Sequence, residues 1–486
     1  MTRSHNIWYG FPRLFSHILG NCQTLQQPCY RKGMVTKMQI IRKERPIEIQ
    51  EETEILVVGG GPAGIGACVS AARQGKKTLL LEKRGFLGGN ITACYVENCN
   101  YFLSGTPFRS QGLYAEIEEK FLEKYGNSNV RSNKASSFDS ECLKVYLDEF
   151  VQENGVKVLL HSFVNEVIME GNKIAAVIIQ TKQGPLAVKA DVVIDTTGDG
   201  DVAYGAGVPF ELGRERDGLC QPGTVSVRLA GADVDKLTEN GDGLGKITKA
   251  FREDYRAGKV DLACKRQDIP FGRLTKAGQI SYVNYPCAYG LDPTDVGDLT
   301  RGEMECRQYI MDIVGYLREH YEEMKDIEIT SMAPEIGFRD SRRIQGLHRL
   351  TIEEMEQQTH YTDTIAVFPR FYDMLSPDAI MAGDETVRGR GYEGYIYEPV
   401  KDDRHFEIPY RSLVPVNVEN LLVAGRCIST DHVAESGVRA ISLCMMTGQA
   451  AGIGASLAIE NGIGVAQAPI SRLQEILRES GFNIPE

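Results

Sequence analysis

The residues best suited to chemistry begin with one short run, Gly59-Gly60-Gly61-Pro62-Ala63-Gly64, followed 18 residues after Gly64 by Glu82. The run satisfies G-x-G-x-x-G. A glycine at Gly59 permits a tight turn, one at Gly61 lets backbone approach a pyrophosphate, and one at Gly64 lets a helix pack against a strand. Pro62 suits a first helical turn, where its missing N–H would have no partner. Ala63 completes the loop. The Glu82 carboxylate can accept hydrogen bonds from ribose hydroxyls. Together these residues could hold a dinucleotide, with its phosphates at a helix N-terminus.

Three elements must position them. Glu54–Val58 is a short apolar run that reads as a buried parallel strand. A helix follows through Ala67, Ser70 and Ala71 to Gly75, and a second strand, Lys77–Leu81, delivers Glu82. The glycines alone could mark a turn that binds nothing. Strand, glycines, helix, strand and acid in this order form a specific dinucleotide fingerprint.

The next segment separates FAD from NAD. Lys83-Arg84-Gly85-Phe86-Leu87-Gly88-Gly89-Asn90-Ile91-Thr92 sets two more adjacent glycines and an asparagine beside the first loop. A glycine pair here lets the chain pass close to a ligand that extends beyond the pyrophosphate, as FAD does. Lys83, Gly88, Gly89, Asn90 and Thr92 are therefore candidate FAD contacts.

Further along, Val156–His161, Phe163–Met169, Lys173–Gln180 and Leu186–Lys189 read as a β-meander, with Val164 a candidate contact. Asp191–Ile194 is a separate buried strand that ends in Asp195-Thr196-Thr197-Gly198-Asp199-Gly200-Asp201. Thr197, Gly198 and Asp199 are candidate cofactor residues there. Asp199 and Asp201 have an equally plain reading as helix-capping acids. Near the C-terminus, Asn420–Arg426 is a strand with a glycine exit, and Gly425 and Arg426 join the candidate set. A helix is expected from near Glu435 through Ser436, Gly437, Val438 and Arg439 to about Ile459. Its N-terminus would carry partial positive charge toward the cofactor.

These stretches resemble the FAD-dependent oxidoreductase family of the glutathione-reductase-like superfamily, distantly related to fumarate reductase flavoproteins. The resemblance rests on Val57–Gly64 with Gly85–Gly89, on Gly337-Phe338-Arg339-Asp340-Ser341-Arg342-Arg343-Ile344, and on Ile408–Val414 leading to Gly425–His432. It spans roughly Glu54 to Glu460. It implies FAD held noncovalently by the glycine elements and Glu82, with the isoalloxazine near Asn90, Thr92 and the His432–Arg439 segment. The middle of the chain departs from the fumarate reductases, so a dicarboxylate substrate is not implied. The fold class expected is α/β. A Rossmann-like FAD-binding domain would be split between residues 50–210 and 405–486, with an α+β substrate or cap region inserted at 211–404.

Flavin chemistry often needs an acid or base to move a proton. His432, beside Asp431, is the first candidate, with a structural histidine as the even alternative. His405 is second and reads better as structural. Arg339, Arg342 and Arg343 form a dense positive group, and one of them could bind a carboxylate or carbonyl in a bidentate contact. The others would pair with Asp340, Glu353 and Glu354. Arg411 is a weaker proton-donor candidate. A long helix from about Val296 to Lys325, with Tyr309, Ile313, Tyr316 and Leu317 on its apolar face, reads as a wall of the cap.

Composition sets the frame. The 486 residues are 42% hydrophobic and 25% charged, ordinary for a globular protein. Acidic residues outnumber basic ones 66 to 54, a net charge of −12, which speaks weakly against nucleic acid. The 12 cysteines include no C-x-x-C pair, and free thiols in a reducing cytosol are expected. Cys94 reads as packing rather than as a redox thiol. The segment Ala450–Ile459 reads as a core helix rather than a membrane span. Residues 1–43 contain no Asp or Glu and resemble either a transit peptide or a misassigned start. No metal cluster is legible. Without a second fingerprint for a nicotinamide, the electron partner is a carrier, a soluble flavin, a quinone or oxygen. The expectation is a cytoplasmic FAD enzyme that moves two electrons to or from a small molecule, without nucleic acid or membrane partners and with self-association left open. An electron-transfer subunit of a larger complex and an RNA-modifying flavoprotein are the alternatives.

Overall fold

A computed structural model describes residues 46–97, 109–126, 138–370, 372–377, 396–398 and 403–485. The expected extension at 1–43 lies outside the described residues. The first strand, β1, runs Ile49–Val58. Its last four residues, Ile55–Val58, are buried, as a strand covered on both faces must be. Helix α1, Pro62–Arg73, and strand β2, Thr78–Leu81, follow. β2 lies parallel to β1, with Ile55 opposite Thr78 and Val58 opposite Leu81.

Four strands complete the lower half of the sheet: β3 Lys157–Leu159, β4 Phe163–Glu170, β5 Lys173–Thr181 and β6 Gly184–Asp195. A late strand, β7 Leu421–Val423, returns beside β6. The order is β3-β2-β1-β6-β5-β4, with β7 also paired to β6. This α/β core carries a parallel Rossmann-like sheet with an antiparallel extension. β6 serves both parts. It pairs antiparallel with β5 over Gly184–Val188 and parallel with β1 up to Asp195, opposite Val58.

Three expectations need correction here. The run Val156–His161 joins the parallel core as β3, beside β2, rather than the meander. Leu186–Lys189 and Asp191–Ile194 are one strand, because no glycine or proline interrupts them and β1 is long enough to pair with both. β1 itself starts at Ile49, earlier than its apolar run, because its exposed first residues still pair with Ala187–Ala190.

The C-terminal helix is also two helices, α2 His432–Val438 and α3 Ile441–Asn461. The break falls at Ala440, whose φ of −55° and ψ of 133° are extended. By length and composition α3 could cross a membrane, yet its apolar stretch is buried inside the protein. It packs backbone to backbone on α1. A Cβ added at Gly66, Gly448 or Gly452 would overlap the carbonyl oxygens of Met445, Ala63 and Ala67 respectively. Ser70 Oγ also donates to Gln449 O at 3.1 Å across this contact.

A second hydrophobic core lies between the halves of the sheet sequence. It surrounds the antiparallel strands Val227–Ala230, Ile280–Val283 and Glu328–Met332 and the helix Val296–His320. That helix buries Ile313, Tyr316 and Leu317, while Tyr309 is only partly covered. It ends at His320, earlier than expected, because Tyr321 turns extended at φ −131° and ψ 114°. Glu97 ties this core to the first. It is fully buried and accepts from Ser140 N at 3.1 Å, Arg228 Nη2 at 2.7 Å and Arg273 Nη2 at 3.2 Å.

The helix contact predicts opposite outcomes for two glycine substitutions. Gly448→Val forces overpacking between α1 and α3 and should cost at least about 1–3 kcal/mol. Gly315→Ala, on an open helix face, should gain up to about 1 kcal/mol. Urea midpoints measure both, and an unchanged midpoint for Gly448→Val would refute the packing described.

Candidate cofactor and substrate site

The site lies at the carboxyl ends of β1, β6 and β7. Gly59 has a φ of +110°, and a Cβ there would stand 2.5 Å from Thr196 O. Gly61 and Gly89 face each other across the floor, where a Cβ on Gly89 would meet Gly61 Cα at 2.8 Å. Helix α1 opens from Gly61 with no side-chain cap and with Pro62 in its first turn. Its first amides and its dipole are therefore available to an anion. Glu82 is buried and braces this loop as well as facing the cavity. Its Oε2 accepts from Gly60 N at 2.7 Å, and its Oε1 accepts from Arg84 N at 2.8 Å.

A cavity of about 410 Å³ runs over this floor. From the sequence-derived set, Gly59, Gly61, Pro62, Ala63, Glu82, Lys83, Gly89, Asn90 and Val164 line it. So do Thr197, Gly198, Asp199, Gly425, Arg426, Arg339 and Arg439. Gly64, Gly88 and Thr92 stand behind the wall and shape the loops. A Cβ on Gly64 would overlap Gly59 O, and Thr92 Oγ1 donates to Leu87 O at 2.6 Å beside Gly88. Ser436, Gly437 and Val438 are buried in α2 and do not reach the cavity. The helix start at the cavity is that of α3, through Ile441, rather than one near Glu435.

Asp199 and Asp201 do not cap the following helix, which starts from Gly200. Asp199 instead pairs with Arg426 Nη2 at 2.5 Å, and Asp201 pairs with Arg342 Nη1 at 3.0 Å. Arg426 also donates to Gly198 O at 2.9 Å and to Phe338 O. Beneath them, burial pushes Asp195 up to about 6 although it accepts from Thr197 N and Ala203 N. Two cysteines, Cys94 and Cys444, also line the cavity. Burial pushes them to about 11 and about 12, so both stay protonated thiols near neutral pH.

Three of the four residues first considered for proton transfer stand off the cavity. His405 is paired through Nδ1 with Asp403 O at 3.2 Å. Arg411 is half-exposed and bound to Asp363 at 2.9 and 3.1 Å. His432 is buried behind the wall, its Nδ1 3.0 Å from Asp340 Oδ2. Glu435 joins this cluster, and Arg343 lies 3.4 Å from Asp340 and 3.7 Å from Glu435. Burial raises Asp340, but His432 and Arg343 outweigh it and hold its carboxyl below the ordinary value. Burial and then Asp340 push Glu435 well above its ordinary 4.5. Arg339 alone of the four reaches the cavity, and it does not pair with Asp340, Glu353 or Glu354. Arg343 does pair with Asp340, while Arg342 pairs with Asp201 instead.

Several cavity residues carry no local signal in the sequence. Thr224, Ser226, Asn284, Glu303, Ile336 and Asp373 come from separate parts of the second core and its flanks. Only the fold assembles them.

The buried cluster predicts a pH dependence. A carboxyl raised in the folded state adds stability that is full below its ordinary value, 4.5, and is lost as pH climbs through the folded value. Glu435→Gln removes that loss. Its stability relative to wild type should therefore grow with pH above 4.5, by up to about 1.4 kcal/mol per pH unit. Urea unfolding in mildly acidic to mildly alkaline buffers reads this, and a flat or falling difference would contradict it.

The floor fits an FAD. It is bare backbone at Gly61 and Gly89, an uncapped helix start lies on one side, and a buried acid stands at the tip of β2. The chain matches the model of the family described as FAD dependent oxidoreductase over residues 54–477. Thiamine thiazole synthase from Methanococcus vannielii is 28% identical over 229 residues, 43% of this chain and 81% of that protein. Digeranylgeranylglycerophospholipid reductase from Thermoplasma acidophilum is 27% identical over 196 residues, 38% of this chain and 48% of that protein. A solved geranylgeranyl bacteriochlorophyll reductase-like protein from Thermoplasma acidophilum aligns with a TM-score of 0.43 at 14% identity, over 89% of this chain and 84% of that one. With the family match covering most of the sequence, the chain belongs to the FAD dependent oxidoreductase family.

Proposed function

We propose that this enzyme moves two electrons between FAD and a small organic molecule that enters the cavity from the side of the second core. The reaction is the dehydrogenation of an alcohol or C–C unit, or the reduction of an activated C=C bond. The observation that carries the reading is the shared cavity, whose floor is the glycine cradle and whose opposite wall comes from the second core. A cofactor pocket for electron relay alone would not need that wall.

Bound FAD supplies hydride chemistry at its N5 atom. The chain's own residues do the rest. Gly61, Gly89 and the first amides of α1 would hold the pyrophosphate. Glu82, which fixes Gly60, would hold the adenosine ribose, and Val164 would pack at the adenine end. Asn90, Gly425 and Arg426 line the path between the two ends. The start of α3 at Ile441 presents partial positive charge where reduction adds negative charge. Burial on the wall excludes water and strengthens each of these interactions.

Two measurements test this. Gly61→Ala adds a Cβ whose nearest atom beyond its chain neighbours is Gly89 Cα at 3.7 Å, so the apoprotein should change stability by less than about 1 kcal/mol. The same Cβ enters the pyrophosphate space and should weaken FAD binding at least about tenfold. Second, anaerobic mixing of the FAD-loaded protein with a panel of alcohols, or of its photoreduced form with activated alkenes, should change the flavin spectrum by two electrons with at least one compound. Electron exchange only with protein carriers would point to an electron-transfer subunit instead.

A further inference from the structure

Among the described residues four arginines line the cavity, and three of them have carboxylate partners. Arg84 pairs with Glu82 at 3.2 Å and also with Glu335, Arg426 with Asp199 at 2.5 Å, and Arg439 with Asp373 at 3.6 Å. Arg339 has no carboxylate within 4.0 Å among the described residues. Its Nη1 donates to Thr224 Oγ1 at 2.9 Å and to Pro222 O at 3.2 Å. Both acceptors are neutral, and both hold the same nitrogen. A guanidinium has five N–H donors and stays charged in proteins. An enclosed charge without a counter-ion is costly. Burial accordingly works against the Arg339 charge. Neighbouring Arg266 cannot be neutralised by the same route, because Asp268 already holds it at 2.8 Å. Ser226 and Asn284 stand on the same stretch of wall as neutral hydrogen-bonding groups.

We infer that Arg339 is the anchor for an anionic oxygen group of the substrate, and that the substrate is a small carboxylate. This rests on the flavoenzyme reading above and adds the substrate class. With the pyrophosphate over the bare backbone of Gly61 and Gly89, the cofactor's phosphates would leave the Arg339 wall free. The hydrogen bonds to Pro222 and Thr224 fix one nitrogen and leave the other edge of the guanidinium for a bidentate contact. The carboxylate would supply the missing counter-ion, and Ser226 and Asn284 would orient the rest of the molecule.

The test is a titration of the oxidised, FAD-loaded protein with acetate, succinate and benzoate, read by flavin absorbance and by calorimetry. At least one acid should bind saturably, and at least tenfold more tightly than its methyl ester. Arg339→Gln should weaken that binding tenfold or more, with Arg339→Lys between the two. Three results would overturn the proposal: no acid in the panel binds, acid and ester bind alike, or Arg339→Gln binds as wild type does. A lowered potential with unchanged acid binding would reassign Arg339 to the flavin. The acid-to-ester comparison needs only the wild-type protein and stands even if the variant does not fold. A wild-type protein that retains no flavin would count against the flavoenzyme reading, while calorimetry on that same protein would still decide the anchor.

Discussion

Backbone meets backbone where α1 crosses α3. Gly448 lies against the Ala63 carbonyl, Gly66 against that of Met445, and Gly452 against that of Ala67. No side chain could stand at any of these points without moving a helix. The contact sets the distance between the N-terminal dinucleotide loop and a segment nearly four hundred residues later. It also sets where β7 ends, because Gly425 comes so close to Ala63 that a Cβ on it would lie 2.9 Å from the Ala63 side chain. The floor of the cavity is thus drawn from three distant pieces of chain, all presenting bare backbone to the ligand. Close packing of this kind is rigid, so the helix start and the glycine loop reach the cofactor already in place.

Electrostatics fixes the opposite wall. The segment Gly337–Ile344 works as a seam. Phe338 O receives Arg426, Arg342 reaches Asp201 and the carbonyl of Asp199, and Arg343 sits among Asp340, Glu435 and Gly213 O. Glu97 does the same at the far side through Arg228 and Arg273. Buried pairs of this sort add little net stability over apolar contacts. Breaking one by removal of a partner costs about 3–5 kcal/mol. They therefore hold two cores in one register, and they make the unpaired Arg339 stand out. Arg84, Arg426 and Arg439 on the same cavity are each answered by a carboxylate, whereas Arg339 has none within 4.0 Å among the described residues.

The part of the fold that was legible in the sequence is the part whose signal is local. Strand, glycines, helix, strand and Glu82 form a continuous stretch, and the structure reproduces each element within a few residues. The middle strands were harder. β6 looked like two strands because its pattern changes where its partner changes from β5 to β1, and β3 looked like part of a meander because its length hid its parallel pairing. The break between α2 and α3 leaves no proline or glycine at Ala440 to announce it. The family resemblance implied the His432–Arg439 segment beside the flavin, and of that segment the structure brings only Arg439, with Ile441 beyond the turn at Ala440, to the cavity. Of the second wall only the helix that carries Leu299 and Glu303, together with Arg339, was legible, because Thr224, Asn284, Ile336 and Asp373 converge only through tertiary packing. Arg339 was legible as a charge in a dense group, but its lack of a carboxylate partner among the described residues is a property of the fold.

A crystal structure of the FAD-loaded protein tests the central claim most directly. The account predicts the pyrophosphate over Gly61 and Gly89, the adenosine ribose at Glu82, and the isoalloxazine turned toward the wall that carries Arg339. A pyrophosphate away from the Gly61–Gly89 floor, or an isoalloxazine facing away from the second core, would contradict it.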